Sequence, residues 1–141
     1  MISIVIPVFN EEKNLEVLNK RLSIVCKTFD TNFEIIYVDD GSSDKSLDII
    51  KNFCDRSEFI HFISFYRNFG QHAAVMAGFN NARGDYIMTL DADLQNPPEE
   101  IPKLMDKMKE GYDIVAGKRI NRKDKLLRKI PSHFMNKIIS T

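Results

Sequence analysis

Residues 2–12 read ISIVIPVFNEE, and this stretch sets a pattern that the rest of the chain repeats. The β-branched run at residues 2–6 predicts a buried strand. A polar cluster follows it at once, and apolar residues then recur at helical spacing, at Leu15, Leu18, Leu22, Val25 and Phe29. A buried strand that leads through a polar turn into an amphipathic helix is the unit from which α/β sheets are built.

The same alternation predicts strands at residues 2–6, 33–38, 59–65, 86–90 and 113–116. Helical patterns separate the later strands, at residues 47–54, 70–82 and 101–108. Gly78 weakens the prediction of a helix at residues 70–82. Repeated helical crossovers indicate an α/β fold with a mainly parallel sheet and helices on both faces. Such sheets bind ligands beyond the carboxyl ends of their strands, near the point where the strand order reverses.

The composition is that of one globular domain. The 141 residues are 43% hydrophobic and balance 20 Lys+Arg with 20 Asp+Glu, which excludes a disordered chain. The apolar runs are shorter than the ~18 residues of a membrane span. Cys26 and Cys54 have neither metal-ligand nor disulfide-framework spacing, which predicts buried free thiols in a reducing compartment.

The basic residues are concentrated near the end of the chain. Residues 118–141 carry eight Lys or Arg against Asp124 alone, so we divide the chain into a core at residues 1–117 and a basic segment at residues 118–141. A solvated charged face is the ordinary explanation of such a run, and an anionic partner is the alternative.

Polar clusters follow three of the predicted strands: NEE at residues 10–12, DDGSSD at residues 39–44 and DADLQN at residues 91–96. The predicted topology places all three clusters on one rim of the sheet. Any one of them could simply cap the helix that follows it. Three clusters at the ligand-binding edge favour a binding site over caps alone.

The cluster at residues 91–96 has the chemistry of a metal site. Asp91 and Asp93 are one residue apart and repel each other unless a cation or a hydrogen-bond donor intervenes. Hard oxygen ligands suit Mg²⁺ or Mn²⁺, and Gln95 adds an amide oxygen. An Asp-x-Asp pair alone is a weak signal, because helix caps produce it as well.

The cluster after the second predicted strand suits a nucleotide. Asp39 and Asp40 could accept hydrogen bonds from a base N–H or a ribose hydroxyl, and Gly41 permits close approach of the backbone. Phe9 could stack on a base or could be an ordinary core aromatic.

Several other enzyme classes lack their signatures here. The sequence contains no P-loop, no G-x-G-x-x-G after the first strand and no G-x-S-x-G elbow. The three histidines, His61, His72 and His133, are scattered, and we predict structural or surface roles for them.

With VIPVFNEE at residues 5–12, VDDGSSD at residues 38–44 and DADLQNPPE at residues 91–99, the chain resembles a family 2 glycosyltransferase of the GT-A fold. RNFGQHAA at residues 67–74, Gly84-Asp85 and Gly117-Lys118-Arg119 narrow the resemblance to the polyisoprenyl-phosphate glycosyltransferases. That branch includes dolichol-phosphate mannosyltransferases and undecaprenyl-phosphate glucosyltransferases. The role of residues 67–70 stays open between a structural turn and a substrate contact.

The resemblance implies site residues position by position. It assigns nucleotide binding to Pro7, Phe9, Glu11, Asp39, Asp40 and Asp91. It assigns metal binding to Asp93 and Gln95, phosphate binding to Arg119 and Arg128, and catalysis to Asp91, Asp93 and Arg119. The implied cofactor is Mg²⁺ or Mn²⁺.

The resemblance also implies a reaction: inverting transfer of a sugar from UDP-glucose or a related UDP-sugar to a polyisoprenyl phosphate. It takes place at the cytoplasmic face of the cell membrane, with no nucleic-acid partner. Members of the branch continue past residue 141, so we expect an N-terminal fragment whose fold is truncated at its C-terminus.

Three alternatives stay open. The first is a non-catalytic nucleotide-sugar-binding fragment or assembly module. The second is a glycosyltransferase that acts on a saccharide hydroxyl. The third is a sugar nucleotidyltransferase, although the Gly-rich, Lys-containing loop expected after its first strand is missing.

Overall fold

The computed structural model describes residues 1–117, in which strands and helices alternate. The strands are β1 (Ile2–Val8), β2 (Phe33–Asp39), β3 (Ile60–Ser64) and β4 (Tyr86–Thr89). The helices are α1 (Leu15–Cys26), α2 (Ser46–Arg56), α3 (Gln71–Asn81) and α4 (Ile101–Lys109), and a 3₁₀ turn at Pro98–Glu100 precedes α4.

All paired strands of the sheet are parallel, in the order β3-β2-β1-β4. The register pairs Ile2 with Phe33 and Val8 with Asp39 across β1 and β2, and Ile2 with Tyr86 across β1 and β4. The chain moves outward from β1 to β3 and then crosses back to place β4 on the other side of β1. The predicted parallel α/β sheet is confirmed, and its strand order reverses between β1 and β4.

The core lies on both faces of β1 and β2, which are apolar on both sides. Ile4 and Ile6 belong to a cluster with side chains of α1, α2 and α4, such as Leu18, Ile50 and Ile101. On the opposite face, Val5, Ile36 and Val38 pack against Ala74 of α3. The helices therefore cover both faces, as predicted.

A buried carboxylate secures the turn that leads into β4. Glu34 accepts hydrogen bonds from the Ser3 hydroxyl (2.6 Å) and from the backbone N–H of Arg83 (2.7 Å). The Ser3 hydroxyl oxygen in turn accepts the Gly84 N–H (2.8 Å). A Cβ at Gly84 would lie 2.6 Å from the Ser3 backbone nitrogen, so glycine is needed for this approach.

The predicted strand at residues 113–116 is wrong, because the structure assigns no strand to this segment. Ile114 is exposed, and the free edge of β4 has no partner within the described part of the chain. Four residues with strand propensity do not form a strand without a neighbouring ladder, since that propensity depends on packing and pairing.

Within residues 1–117, none of the helices has the length and apolar character needed to cross a bilayer.

Gly78 allows α3 to lie close to the sheet. A Cβ on this glycine would come within 2.2 Å of Val5 Cγ1, and Val5 is fully buried. We expect Gly78→Val to lower the free energy of unfolding by about 2 kcal/mol or more, because over-packing a filled core forces side chains and backbone apart. Denaturant unfolding followed by circular dichroism measures this change.

Gly117→Val is the control for that variant. A Cβ at Gly117 meets nothing within 4 Å, so we expect its free energy of unfolding to stay within about 0.5 kcal/mol of the parent. Equal losses in the two variants would contradict the close packing of α3 on β1.

Candidate functional site

A cavity of about 320 Å³ opens at the carboxyl ends of β1, β2 and β4. Six of the predicted site residues line it: Pro7, Phe9, Glu11, Asp40, Asp91 and Asp93. They come from three separate stretches of sequence, and the reversal of strand order brings those stretches together. This is the position at which open parallel sheets bind ligands.

Pro7 helps to open the cavity between β1 and β4. The Leu90 N–H donates to the Val5 carbonyl at 3.0 Å, so odd-numbered residues of β1 direct their backbone groups toward β4. Two residues later, Pro7 has no N–H to offer. The paired register of β1 and β4 ends at Val5 and Thr89, and Pro7 and Asp91 both line the cavity beyond it.

The loop after β1 is hydrogen-bonded to the loop after β2. Asn10 adopts a left-handed conformation (φ 56°), and its side-chain oxygen accepts the Ser43 N–H at 2.8 Å. Its own N–H donates to Ser42 Oγ at 2.9 Å, and the Glu11 N–H donates to Ser46 Oγ at 2.9 Å. These bonds fix the backbone on which Phe9 and Glu11 are presented to the cavity.

Asp39 and Asp40 are buried, with 1% and 3% of their surface exposed. Asp39 accepts the Ser42 N–H and the Ser64 hydroxyl, each at 3.3 Å, and does not line the cavity. Asp40 lines the cavity, yet both of its carboxylate oxygens accept backbone N–H groups of the loop before α3. The predicted nucleotide contacts of these two carboxylates stay predictions.

Asp91 and Asp93 both face the cavity. Amide groups of Gln71 and Asn96 donate to the two oxygens of Asp91, each at 3.0 Å. Asp93 Oδ1 accepts the backbone N–H of Gln95 at 3.0 Å. The Gln95 side chain lines a second cavity, of about 570 Å³, beside β4 and α4, so its predicted role as a metal ligand also stays a prediction.

The donor set fits a hard divalent cation that keeps part of its coordination shell for a ligand. Glu11, Asp91 and Asp93 supply carboxylate oxygens to one cavity, and carboxylates are what Mg²⁺ and Mn²⁺ prefer. Residues 1–117 contain no ready-made cluster of three or more acidic, His or Cys ligands. Mg²⁺ is commonly held by one or two carboxylates, together with waters and substrate phosphate oxygens.

Leu94 lies between Asp93 and Gln95 in a left-handed backbone conformation, with φ of 62°. Such a conformation costs a residue with a side chain about 1–3 kcal/mol. The Leu94 side chain packs against the main core cluster, and this burial offsets part of the cost. The turn that carries Asp93 is therefore held in one shape by the core beneath it.

Arg119 and Arg128, both predicted to bind phosphate, lie outside the described residues, as do the remainder of the basic segment and His133. Both cysteines are free thiols, as predicted, but only Cys26 is buried, whereas Cys54 is half-buried. Burial raises the pKa of the Cys26 thiol to about 12, which makes it a poor nucleophile at neutral pH.

Sequence reasoning did not assign a site role to Asn68, Gly70 or Gln71, which also line the cavity. A usable signal was present. These residues follow β3, as the other clusters follow β1, β2 and β4, so the same rule about strand ends applies to them.

The chain is similar to known proteins of one family. The family described as Glycosyl transferase family 2 matches residues 3–140. The undecaprenyl-phosphate 4-deoxy-4-formamido-L-arabinose transferase of Photorhabdus laumondii is 50% identical over 140 residues, which cover 99% of this chain and 43% of that protein. The protein of the same description from Yersinia pestis is 51% identical over 139 residues, covering 98% and 42%. The chain thus spans about two fifths of the length of these relatives.

Solved structures share the fold. Staphylococcus aureus TarS 1-349 superposes with a TM-score of 0.65 at 20% identity, over 87% of this chain and 40% of that one. The mannosyltransferase PcManGT from Pyrobaculum calidifontis, solved with GDP-Man and Mn²⁺, gives a TM-score of 0.57 at 16% identity, over 70% and 29%. At these identities the likeness concerns the fold alone.

An ion pair between Arg21 of α1 and Glu99 ties the segment after Asp93 to the helical layer. Arg21 donates to both Glu99 oxygens, at 2.8 and 2.6 Å. These hydrogen bonds lower the pKa of Glu99 from 4.5 to about 2. We expect Arg21→Ala to return that pKa toward 4.5, as measured by NMR titration of the Glu99 carboxyl carbon.

Because the pKa of Glu99 is lowered in the folded chain, the stability that the ion pair contributes depends on pH. The pair stabilises the folded chain fully above pH 4.5 and loses this effect as the pH falls through about 2. Arg21→Lys keeps the charge and loses the two-pronged geometry, so its Glu99 pKa should lie between those of the parent and the alanine variant. An unchanged pKa in Arg21→Ala would exclude the pairing.

Proposed function

The chain belongs to glycosyl transferase family 2, and on that premise we propose that its cavity binds a nucleoside-diphosphate sugar for transfer to a polyisoprenyl phosphate. One observation carries the proposal: six side chains implied by the family resemblance, from three separate stretches of sequence, line one cavity. The relatives with about 50% identity are described as undecaprenyl-phosphate sugar transferases, which supports this acceptor class.

The wall formed by β1 suits the nucleoside. Phe9 is 46% exposed at the cavity, so its ring is available to stack on a base. Pro7 and Glu11 complete this side, with Glu11 able to accept hydrogen bonds from hydroxyl or N–H groups. We assign the base and ribose to this wall.

The opposite wall suits the diphosphate. Asp93, with Asp91 beside it, would hold Mg²⁺ or Mn²⁺, and Gln95 stays a proposed further ligand. The bound cation supplies positive charge opposite the negative charge that develops on the departing diphosphate. The N-terminus of α3, at Gly70 and Gln71, also lines the cavity and adds the positive end of a helix dipole. Arg119 and Arg128 are the proposed phosphate-binding cations.

The acceptor chemistry accounts for the lack of an obvious general base among the assigned residues. A phosphate monoester, with its second pKa near ~6, is largely ionised at pH 7 and is already a nucleophile. One of its oxygens attacks the anomeric carbon from the side opposite the diphosphate. The bond between the anomeric carbon and the diphosphate oxygen breaks, and the configuration inverts.

The donor we propose is a UDP-linked sugar. The resemblance implies UDP-glucose or a related UDP-sugar, and the names of the relatives favour a 4-deoxy-4-formamido-L-arabinose unit as the sugar. We propose that the reaction takes place at the cytoplasmic face of the cell membrane, where the basic segment at residues 118–141 meets anionic lipid. Each Lys or Arg near such a surface contributes about 1 kcal/mol.

Asp93→Asn tests the proposed donor site. We expect the parent chain to bind UDP more tightly with Mn²⁺ than without it, and more tightly than GDP or CDP, in calorimetric titrations. The variant should lose at least about tenfold in Mn²⁺-dependent UDP affinity, a scale that even outer-shell residues reach. Its thermal stability should be nearly unchanged, because Asp93 is only partly buried.

Asp106→Asn is the matched control, since Asp106 is 74% exposed on α4 and does not line the cavity. It should bind UDP like the parent. If Asp93→Asn unfolds the chain while binding per folded molecule stays constant, Asp93 is structural and the donor-site assignment fails. If the chain binds the nucleotide but neither transfers sugar to undecaprenyl phosphate nor hydrolyses the donor, the result would favour a binding module over an enzyme.

Arg119→Ala tests the phosphate role that the resemblance implies. Hydrogen bonds to charged groups are worth about 1.5–3 kcal/mol, so removing this guanidinium should lower the affinity for UDP by roughly tenfold or more. Uridine has no phosphate, and its affinity should stay within about twofold of the parent. Parallel titrations of UDP and uridine measure the contrast, and equal losses would rule out a phosphate contact.

A further inference from the structure

The loop at residues 67–70, which we call the β3–α3 loop, is anchored by a buried carboxylate. Asp40 Oδ1 accepts the Phe69 N–H at 2.7 Å, and Asp40 Oδ2 accepts the Gly70 N–H at 2.9 Å. Only 3% of Asp40 is exposed. A buried carboxylate is costly unless its oxygens are satisfied, so Asp40 and this loop depend on each other.

Two glycines make the anchor possible. Gly70 has φ of +94°, and Gly41, next to Asp40, has φ of +68°. A Cβ on Gly41 would lie 2.3 Å from the Arg67 carbonyl carbon, so any other residue there would push the loop away. The backbone of the β2 end and the β3–α3 loop are therefore in direct contact.

Aromatic contacts stiffen the outer side of the same loop. The Phe69 ring meets Phe65 and Tyr66 edge-on, with centroids 5.5 and 5.3 Å away. The Arg67 guanidinium lies 4.9 Å from the Phe69 ring centroid. The loop is thus fixed on both sides, and the position of the residue that follows it is fixed as well.

That residue is Gln71, which begins α3 and reaches across the cavity. Its side-chain Nε2 donates to Asp91 Oδ1 at 3.0 Å, while Asn96 donates to Asp91 Oδ2. A neutral amide donor orients a carboxylate without cancelling its charge. The Gln71 and Asn96 amides therefore orient the Asp91 carboxylate, which lines the cavity.

We propose that Gln71 is a positioning residue for Asp91, and that Asp40 acts through the β3–α3 loop to place Gln71. The stretch at residues 67–70 is then a structural element of the site that links the nucleoside wall to the diphosphate wall. This inference rests on the proposed function, since it gives Asp91 and Asp93 a role in binding the donor diphosphate and its cation. Outer partners of ligating carboxylates typically change metal affinity by about 10- to 100-fold.

The first test needs no ligand. In NMR spectra of the parent chain, the Gln71 side-chain amide should resonate away from exposed glutamine amides and should move when Asp91 is changed to Asn. Asp40→Asn places an amide N–H against the Phe69 or Gly70 donor, so exchange of those two amide protons should speed up by at least about tenfold. The Gln71 side-chain signals should shift toward free glutamine. Unchanged Gln71 signals in Asp40→Asn would overturn the proposal.

The second test measures binding. Gln71 is exposed and its truncation leaves the core intact, so Gln71→Ala should fold normally. It should lower Mn²⁺-dependent UDP affinity by about 10-fold or more and leave uridine affinity within twofold. Asn81→Ala removes an exposed amide from the other end of the same helix, where the Asn81 side chain donates to the Ala77 carbonyl, and this variant should bind UDP like the parent.

A double-mutant cycle decides whether Asp40 acts through Gln71. If it does, Asp40→Asn will reduce Mn²⁺-dependent UDP affinity in the parent and add little in the Gln71→Ala background. Additive losses, or equal losses for UDP and uridine, would overturn the link. If the parent binds neither UDP nor its Mn²⁺ complex, the donor-site proposal fails, and the NMR comparison still decides whether Asp40 positions Gln71.

Discussion

The structure depends on the reversal of strand order around β1. Hydrogen bonds hold β1 between β2 and β4. The chain continues from β1 to β2 and β3 on one side of β1, and it then crosses over to form β4 on the other side. The loops that follow β1 and β4 therefore diverge, and Pro7 ends the ladder between them where a further N–H would have continued it. A parallel sheet with this connectivity leaves a gap at its carboxyl edge, and the sequence places carboxylates around that gap.

Those carboxylates have two different environments in the structure, although the sequence pattern does not distinguish them. Asp39 and Asp40 are buried and accept hydrogen bonds from the protein itself, so they maintain the shape of the loops. Asp91 and Asp93 are partly exposed at the cavity, where Gln71 and Asn96 donate to Asp91 and the Gln95 N–H donates to Asp93. A cation with diphosphate oxygens is the complement that such a pair favours. Burial, which no residue pattern displays directly, separates the two kinds.

This difference shows how much of the fold and of the site could be predicted from the sequence. Strand runs and helical spacing predicted β1 to β4 and α1 to α4, because most of these elements combine a periodic pattern with clear turn residues; the pattern of α3, which contains Gly78, is the weakest. The segment at residues 113–116 has the composition of a strand and no partner within the described chain, and pairing cannot be seen in composition. The contribution of Gln71 was missed for a related reason. An amide at the start of a helix says nothing about a carboxylate twenty residues away until the sheet brings them together.

The site is built before any ligand arrives, and this has an energetic consequence. The Asp93 turn contains a left-handed Leu94, and Gly41 and Gly70 adopt conformations that favour glycine. Core packing of Leu94 offsets part of the cost of its left-handed backbone, whereas glycine adopts positive φ without that steric cost. Because these ordering costs are already met in folding, the cation and diphosphate of the proposed donor would bind with more of their interaction energy available as affinity.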